Sequence, residues 1–316
     1  MIDLLLAVFS TTFLFTVIRT TTPLLLATLG GLLSDLGGAL NVALEGMMLI
    51  AALTAVIVSV YAPWYVAVLS GLFAGALLGA LMALFHLRFK ADIILVGFAV
   101  NILAVGGTVF ALAMATGGDK GTSINLPSKA IPAIHLPFLE AIPLVGPVLF
   151  QLFSGHSTLT WFAGFAVFGV WYVLYRTPYG LWLRGVGEYP TAPEAAGIPV
   201  NKVRLWSLIG SGAFAGLAGA QLAMFNYVGF TRDMTAGRGF IALGAVLLGA
   251  RHPVGALLAA LLFGFFEALA IVMPNHVRWM PGEMIQTIPF VVTVIALILF
   301  SYRSRRASQL KTLTRI

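Results

Sequence analysis

Long apolar runs almost without charge constrain this chain more than any other feature. Residues 64–85 and 93–115 contain no Asp, Glu, Lys or Arg, and 43–60 and 254–273 contain one each. A helix needs about 20 such residues to cross about 30 Å of hydrocarbon. A soluble domain is about a quarter charged and under half apolar, whereas this chain of 316 residues is 9% charged and 60% hydrophobic. These proportions exclude a soluble enzyme with a conventional polar surface, a disordered chain and a fibrous one.

Apolar elements are expected at 4–18, 20–33, 43–60, 64–85, 93–115, 159–175, 204–228, 239–250, 254–273 and 284–301. The chain therefore reads as one all-α, polytopic membrane domain over 1–316, with about eight to ten transmembrane helices. The elements 20–33 and 239–250 are too short to cross alone. Each leads through a Gly-rich or polar break into another apolar helix, and discontinuous helices tend to mark a transport path. The two also echo each other, Leu29-Gly30-Gly31-Leu32-Leu33 against Leu243-Gly244-Ala245-Val246-Leu247, as a parallel repeat would.

The net charge of +7 serves orientation and not nucleic-acid binding, because cytoplasmic loops collect Lys and Arg. With the loop 86–92 inside, Arg88, Lys90, Arg176, Arg184, Lys202, Arg204, Arg251, Arg303, Arg305, Arg306, Lys311 and Arg315 lie inside with it. Arg19, Lys120, Lys129, Arg232, Arg238 and Arg278 remain outside. Twelve against six predicts that both termini are cytoplasmic. The start is not read as a cleavable signal, since no basic region precedes Leu4–Ile18. The largest non-membrane stretch, 116–158, reads as an outer segment whose five prolines and intervening apolar residues favour short elements lying on the membrane face or under a docked partner.

Chemistry is conspicuous by its absence. None of the five lysines follows a glycine, so no phosphate-cradling Gly-Lys-Ser/Thr loop exists. There is no cysteine, no His-Glu-x-x-His and no Gly-x-Ser-x-Gly, which removes thiolate, zinc and nucleophile-elbow chemistry. The chain is expected to be no enzyme and to hold neither metal nor cofactor.

The loop 176–204 is the most informative segment. Thr191 and Glu194 have the spacing of a capping box, Pro193 fits a first helical turn, and Gly197 followed by Pro199 stops a helix. This predicts a helix of one to two turns on a basic loop, which an ordinary connecting turn could also carry. Together with Arg184-Gly185-Val186-Gly187-Glu188 and Ala195-Ala196-Gly197-Ile198, it resembles the coupling loop of ATP-binding-cassette (ABC) importer permeases. Ser34-Asp35-Leu36-Gly37-Gly38-Ala39-Leu40-Asn41-Val42-Ala43-Leu44-Glu45-Gly46-Met47-Met48 resembles the broken-helix signature of the branch serving simple sugars and nucleosides. Met234-Thr235-Ala236-Gly237-Arg238-Gly239-Phe240-Ile241-Ala242-Leu243 does so as well. The resemblance covers nearly the whole chain, least at 116–158 and in the tail.

The resemblance implies a type II permease fold, like that of vitamin B12 and ribose importers. It implies a second permease subunit (copy or paralogue), a cytoplasmic ABC ATPase holding ATP and Mg²⁺, and an extracytoplasmic binding protein. Coupling to the ATPase would fall to Glu188, Thr191, Glu194, Ala195, Ala196 and Gly197. The cargo would be nucleosides, or simple sugars.

Polar groups inside spans are functional candidates. Asn41 and Glu45, four apart on what reads as one helix face, and Asn101, Gln221 and Asn226 either meet substrate or satisfy backbone and helix packing. Phe98, Phe225 and Phe240 could stack on a nucleobase. Asp35 lies near the inner end of a broken helix, and Glu267 reads as a helix-packing residue. Gly71, Gly75 and Gly79 follow a Gly-x-x-x-Gly rhythm, as do Gly212 and Gly216, and each stripe reads as a surface for close helix approach. An ion-coupled carrier working without an ATPase is the competing reading, and it too would use broken helices. It gives no reason for a capped helix on a basic loop.

Overall fold

The computed structural model describes residues 10–298, apart from 141, 142, 144, 145, 276–283 and 286. The bases Arg278, Arg303, Arg305, Arg306, Lys311 and Arg315 lie outside the described residues, as do parts of the expected elements 4–18 and 284–301.

Helices dominate. In chain order they are α1 (Thr11–Leu36), α2 (Leu44–Tyr61), α3 (Trp64–Ala83), α4 (Ile93–Thr116), α5 (Gly146–Phe153) and α6 (Thr158–Arg176). There follow α7 (Pro178–Glu188), α8 (Thr191–Ala195), α9 (Val200–Gln221), α10 (Arg238–Leu248), α11 (Pro253–Val272) and α12 (Ile288–Ile298). Both α3 and α9 run on as one π-helical turn, Leu84–Arg88 and Leu222–Asn226. Among the described residues seven helices are long and apolar enough to span a membrane, namely α1, α2, α3, α4, α6, α9 and α11, while α10 and α12 are shorter apolar helices.

One expectation fails at the start. Residues 4–18 and 20–33 are not two elements: Thr11–Leu36 is a single helix of 26 residues with Pro23 inside it. The run Arg19-Thr20-Thr21-Thr22-Pro23 reads as a break because proline has no N–H and leaves the carbonyl four residues back unpaired. Here that carbonyl, on Arg19, accepts from the Asn226 side-chain amide at 3.3 Å. The Arg19 guanidinium returns two bonds, to the carbonyls of Phe225 (3.0 Å) and Asn226 (2.6 Å). Thr20 and Thr22 bond back to carbonyls of their own helix. The polar break is thus absorbed by a neighbouring helix, as proline inside a membrane helix requires.

This changes the topology. A single crossing leaves Thr11 beside Gln151 and Phe15 stacked on His156, both in the 116–158 segment. The start of α1 therefore shares a face with that segment. Residues 11–36 make one crossing where two elements were expected. The opposite face carries the ends of α1, α3 and α6, α7 and α8, the starts of α4 and α9, and the α10–α11 turn. Arg88, Asn201 and Lys202 line one cavity there. The echo between 20–33 and 239–250 survives in direction, both running toward this face, but not in length.

At the centre, α9 packs against α1, α2 and α3. Its crossing with α3 brings together the two small-residue stripes read from the sequence. A Cβ on Gly75 would run into the Gly212 carbonyl, and one on Gly216 into the Gly71 carbonyl. Only glycine allows such an approach, and close backbones gain dispersion contacts over many atoms. The 116–158 segment consists of short elements, as expected from its prolines. The two-residue strands Ala133–Ile134 and His156–Ser157 pair antiparallel. Backbone bonds from Ser123 to Phe230 (2.8 Å) and from Ile131 to Met224 (3.0 Å) tie the segment to the end of α9 and the loop after it.

Candidate functional site

Two places deserve the name of site, and the α1–α2 break connects them. The first is a cavity of about 580 Å³ lined by α2, α4 and the N-terminal end of α10, including Glu45, Asn101, Thr235, Gly237 and Phe240. It opens through exposed apolar side chains of α4, Ile102 and Val105.

Glu45 stands in the first turn of α2. Its two carboxylate oxygens accept from the backbone N–H of Gly237 (2.8 Å) and Gly239 (2.6 Å). Those groups open α10, a half-helix of 11 residues whose N-cap is Gly237 at φ +78° and has no side-chain cap. An unpaired helix N-terminus inside a membrane is costly, and a carboxylate satisfies both its hydrogen bonds and its dipole. Asn101 is stitched similarly: its Oδ1 accepts from Gly46 N–H at 2.8 Å and its Nδ2 donates to the Val42 carbonyl at 3.0 Å.

Asn41 does not share a helix face with Glu45, because α2 begins only at Leu44. Asn41 lies in the break, fully buried, where its Oδ1 accepts from Ala43 N–H and its Nδ2 donates to Ser211 Oγ, both at 2.9 Å. It is not among the cavity-lining residues.

The other expected pathway residues lie elsewhere. Gln221 is fully buried and accepts from Ser157 Oγ at 2.7 Å, at the N-cap of α6. Phe225 packs under Arg19, whose guanidinium carbon sits 5.4 Å from the ring centre. Asn226 lines a separate cavity of about 340 Å³ with Arg19, Arg238 and Glu267. Phe98 is half exposed on α4 and outside the cavity's lining. Of the eight residues expected on the pathway, the cavity brings together Glu45, Asn101 and Phe240.

Two ion pairs were not legible in the sequence. Arg238, the first residue of α10, donates to Glu267 of α11 through Nε at 2.7 Å and again through Nη2. Arg251 forms a two-pronged pair with Asp35 at 2.6 and 2.8 Å. The available signal was chemical: a lone arginine at the head of an apolar half-helix needs a buried carboxylate, and few exist in this chain.

The second place is α8. Thr191, Glu194, Ala195, Ala196 and Gly197 are all exposed, as is Glu188 at the end of α7, and only Pro193 is buried. The expected terminator is present: Gly197 has φ +79°, and Ile198 N–H bonds the Pro193 carbonyl at 2.9 Å, a Schellman closure. The expected capping box is not. Thr191 is the first helical residue, Pro190 is the N-cap, and no side chain bonds the free amides. Pro190 already has helical angles (φ −59°, ψ −26°), and the Glu194 N–H is taken by its carbonyl.

The places are joined by contact. On α7, a Cβ at Gly187 would run into the Leu36 carbonyl at the edge of the break. The α7–α8 element therefore rests directly on the segment that leads, through Asn41 and Glu45, to the cavity wall.

Residues 13–297 match the family described as the permease component of the branched-chain amino acid transport system. The guanosine ABC transporter permease protein NupQ of Bacillus subtilis is 36% identical over 87% of this chain and 87% of its own. The nucleoside ABC transporter permease protein NupC of Lactococcus lactis is 36% identical over 88% and 89%. A second Bacillus subtilis protein, the guanosine ABC transporter permease protein NupP, is 29% identical over 91% and 81%.

Proposed function

The chain belongs to the permease family matched by residues 13–297, and from that premise we propose that it is the membrane-spanning subunit of an ATP-driven importer of nucleosides, with simple sugars the neighbouring class. The observation that carries the reading is the exposed α8 backed, through α7 and Gly187, onto the break beside the cavity. A surface helix mounted on a discontinuous transmembrane helix is a lever, and it suits a motor docked from outside the membrane. Nucleosides are preferred because two relatives at 36% identity are nucleoside permeases.

In this reading the permease holds no catalytic site or cofactor. ATP and Mg²⁺ sit in a cytoplasmic ABC ATPase that engages Glu188, Thr191, Glu194, Ala195, Ala196 and Gly197. The face bearing α8 is cytoplasmic, in keeping with its arginines and lysines, and a binding protein delivers cargo to the opposite face of a bacterial inner membrane. A second permease subunit, copy or paralogue, closes the cavity on the exposed side of α4. Phe240 offers a ring for stacking, while Glu45 and Asn101 serve mainly by holding the wall in place. An ion-coupled carrier is disfavoured, because both Glu45 oxygens are committed to backbone N–H groups.

A tagged pull-down from native membranes in mild detergent, read by mass spectrometry, tests the proposal. Co-purification of an ABC ATPase and a second permease is the expected result. A chain that purifies alone and catalyses uptake in ATP-free liposomes would overturn it.

A further inference from the structure

The half-helix α10 is fastened at both ends to one stretch of chain. At its start, Glu45 accepts from the N–H groups of Gly237 and Gly239. Just past its end, Arg251 is gripped by Asp35 through two bonds. Asp35 is the penultimate residue of α1 and Glu45 the second of α2, so the two carboxylates flank the break. An 11-residue helix is about 16 Å long, and the break spans that length alongside it. Contact is close between the fastenings as well: a Cβ on Gly239 would lie 2.6 Å from Glu45 Cα, and one on Gly31 3.2 Å from a Val246 methyl.

The Asp35 side chain is 7% exposed, and bidentate carboxylate–guanidinium pairs hold geometry as well as charge. The same stretch receives the coupling element, since Gly187 sits on the Leu36 carbonyl and beside Gly38. Arg251 also lies within electrostatic reach of Glu188 at the end of α7. The other side of α10 is differently held, by the Arg238–Glu267 pair to α11.

We propose that Asp35 and Glu45 are positioning residues that clasp α10 to the α1–α2 break at both ends, so that the coupling element, the break and α10 move as one body and carry the cavity wall with them. The inference rests on the importer reading and adds to it the route by which a push on α8 reaches Phe240. A clasp of this kind transmits displacement without touching cargo. Weakening it should separate ATP hydrolysis from transport and leave hydrolysis itself intact.

The chain has no cysteine, so Phe240→Cys gives it a single reporter thiol, and labelling by a membrane-impermeant maleimide is read on this subunit alone after the subunits are separated. The labelling rate is compared, in the complex purified with its ATPase and reconstituted in liposomes, between nucleotide-free and vanadate-trapped states. With the clasp intact the rate changes between states. In Asp35→Asn and Glu45→Gln backgrounds the change is lost. In the same variants without the reporter, uptake per ATP hydrolysed falls about ten-fold, within the usual range of coupling energies. The exchanged pair Asp35→Arg with Arg251→Asp restores part of both signals. Variants that keep the full labelling change and normal uptake per ATP overturn the clasp. If the reporter with its clasp intact shows no nucleotide dependence at all, the importer reading falls and the clasp with it.

Discussion

The Asn226 side chain donates to the Arg19 carbonyl at 3.3 Å, which is the carbonyl that Pro23, inside α1, leaves without its helical N–H. One amide thereby keeps a 26-residue helix continuous through a sequence that looks like a break.

Asn226→Ala is expected to destabilise the protein by about 1 kcal/mol, toward the low end of the cost of leaving a part-buried carbonyl unpaired. Pro23→Ala restores the missing N–H, so the double variant should recover most of that loss. Thermal melting of the four proteins in one detergent checks this. A double variant no more stable than Asn226→Ala would show that the amide acts on something other than the Arg19 carbonyl.

Gly75→Val should be severely disruptive. Its side chain would enter the Gly212 carbonyl where α3 crosses α9, and overpacking alone commonly costs about 1–3 kcal/mol. Reduced membrane abundance and a lowered melting temperature are expected. Gly164→Val is the control, since nothing lies within 4 Å of a Cβ there. Equal behaviour of the two would remove the close-contact account.

Ala195→Asp places a charge on the exposed face of α8 and touches nothing buried. Membrane abundance should stay normal while uptake, and co-purification of the ATPase, are lost. Unchanged uptake would take α8 out of the coupling role.

His156 gives a pH dependence with a definite sign. Burial pushes its imidazole below the ordinary 6.5, the nearby Arg19 adds to this, and the Leu152 carbonyl opposes it. Nε2 must donate to that carbonyl, at 2.9 Å, and Nδ1 is buried without a partner. The neutral ring fits, whereas the cation would bury an unsatisfied N–H. The folded value is therefore the lower one. Stability from this group is full above pH 6.5 and falls as pH drops below it, by at most about 1.4 kcal/mol per pH unit. Melting at pH 7.5 and pH 5.0 should differ more for the native chain than for His156→Gln. An equal difference would assign the acid sensitivity to other groups.

Membrane residence and most spans follow from the sequence alone, because an apolar run has no other place to lie, and the break after Leu36 was legible in Gly37-Gly38, the second of which takes φ +69°. The two glycine stripes behind the α3–α9 contact were legible as well, because small residues every fourth position form one stripe on one helix; that they face each other was not. Gly197 as terminator was legible too. Partners were not. Nothing local says that Asn226 will answer Pro23, that Asp35 will meet Arg251 or that Glu45 will cap α10, pairs separated by about 200 residues. Intramembrane polar groups are unstable alone, so the sequence can predict that each must be satisfied. Which group satisfies which is decided only when the helices pack, and that choice made Glu45 and Asn101 fasteners of the cavity wall and sent Gln221 to the cap of α6.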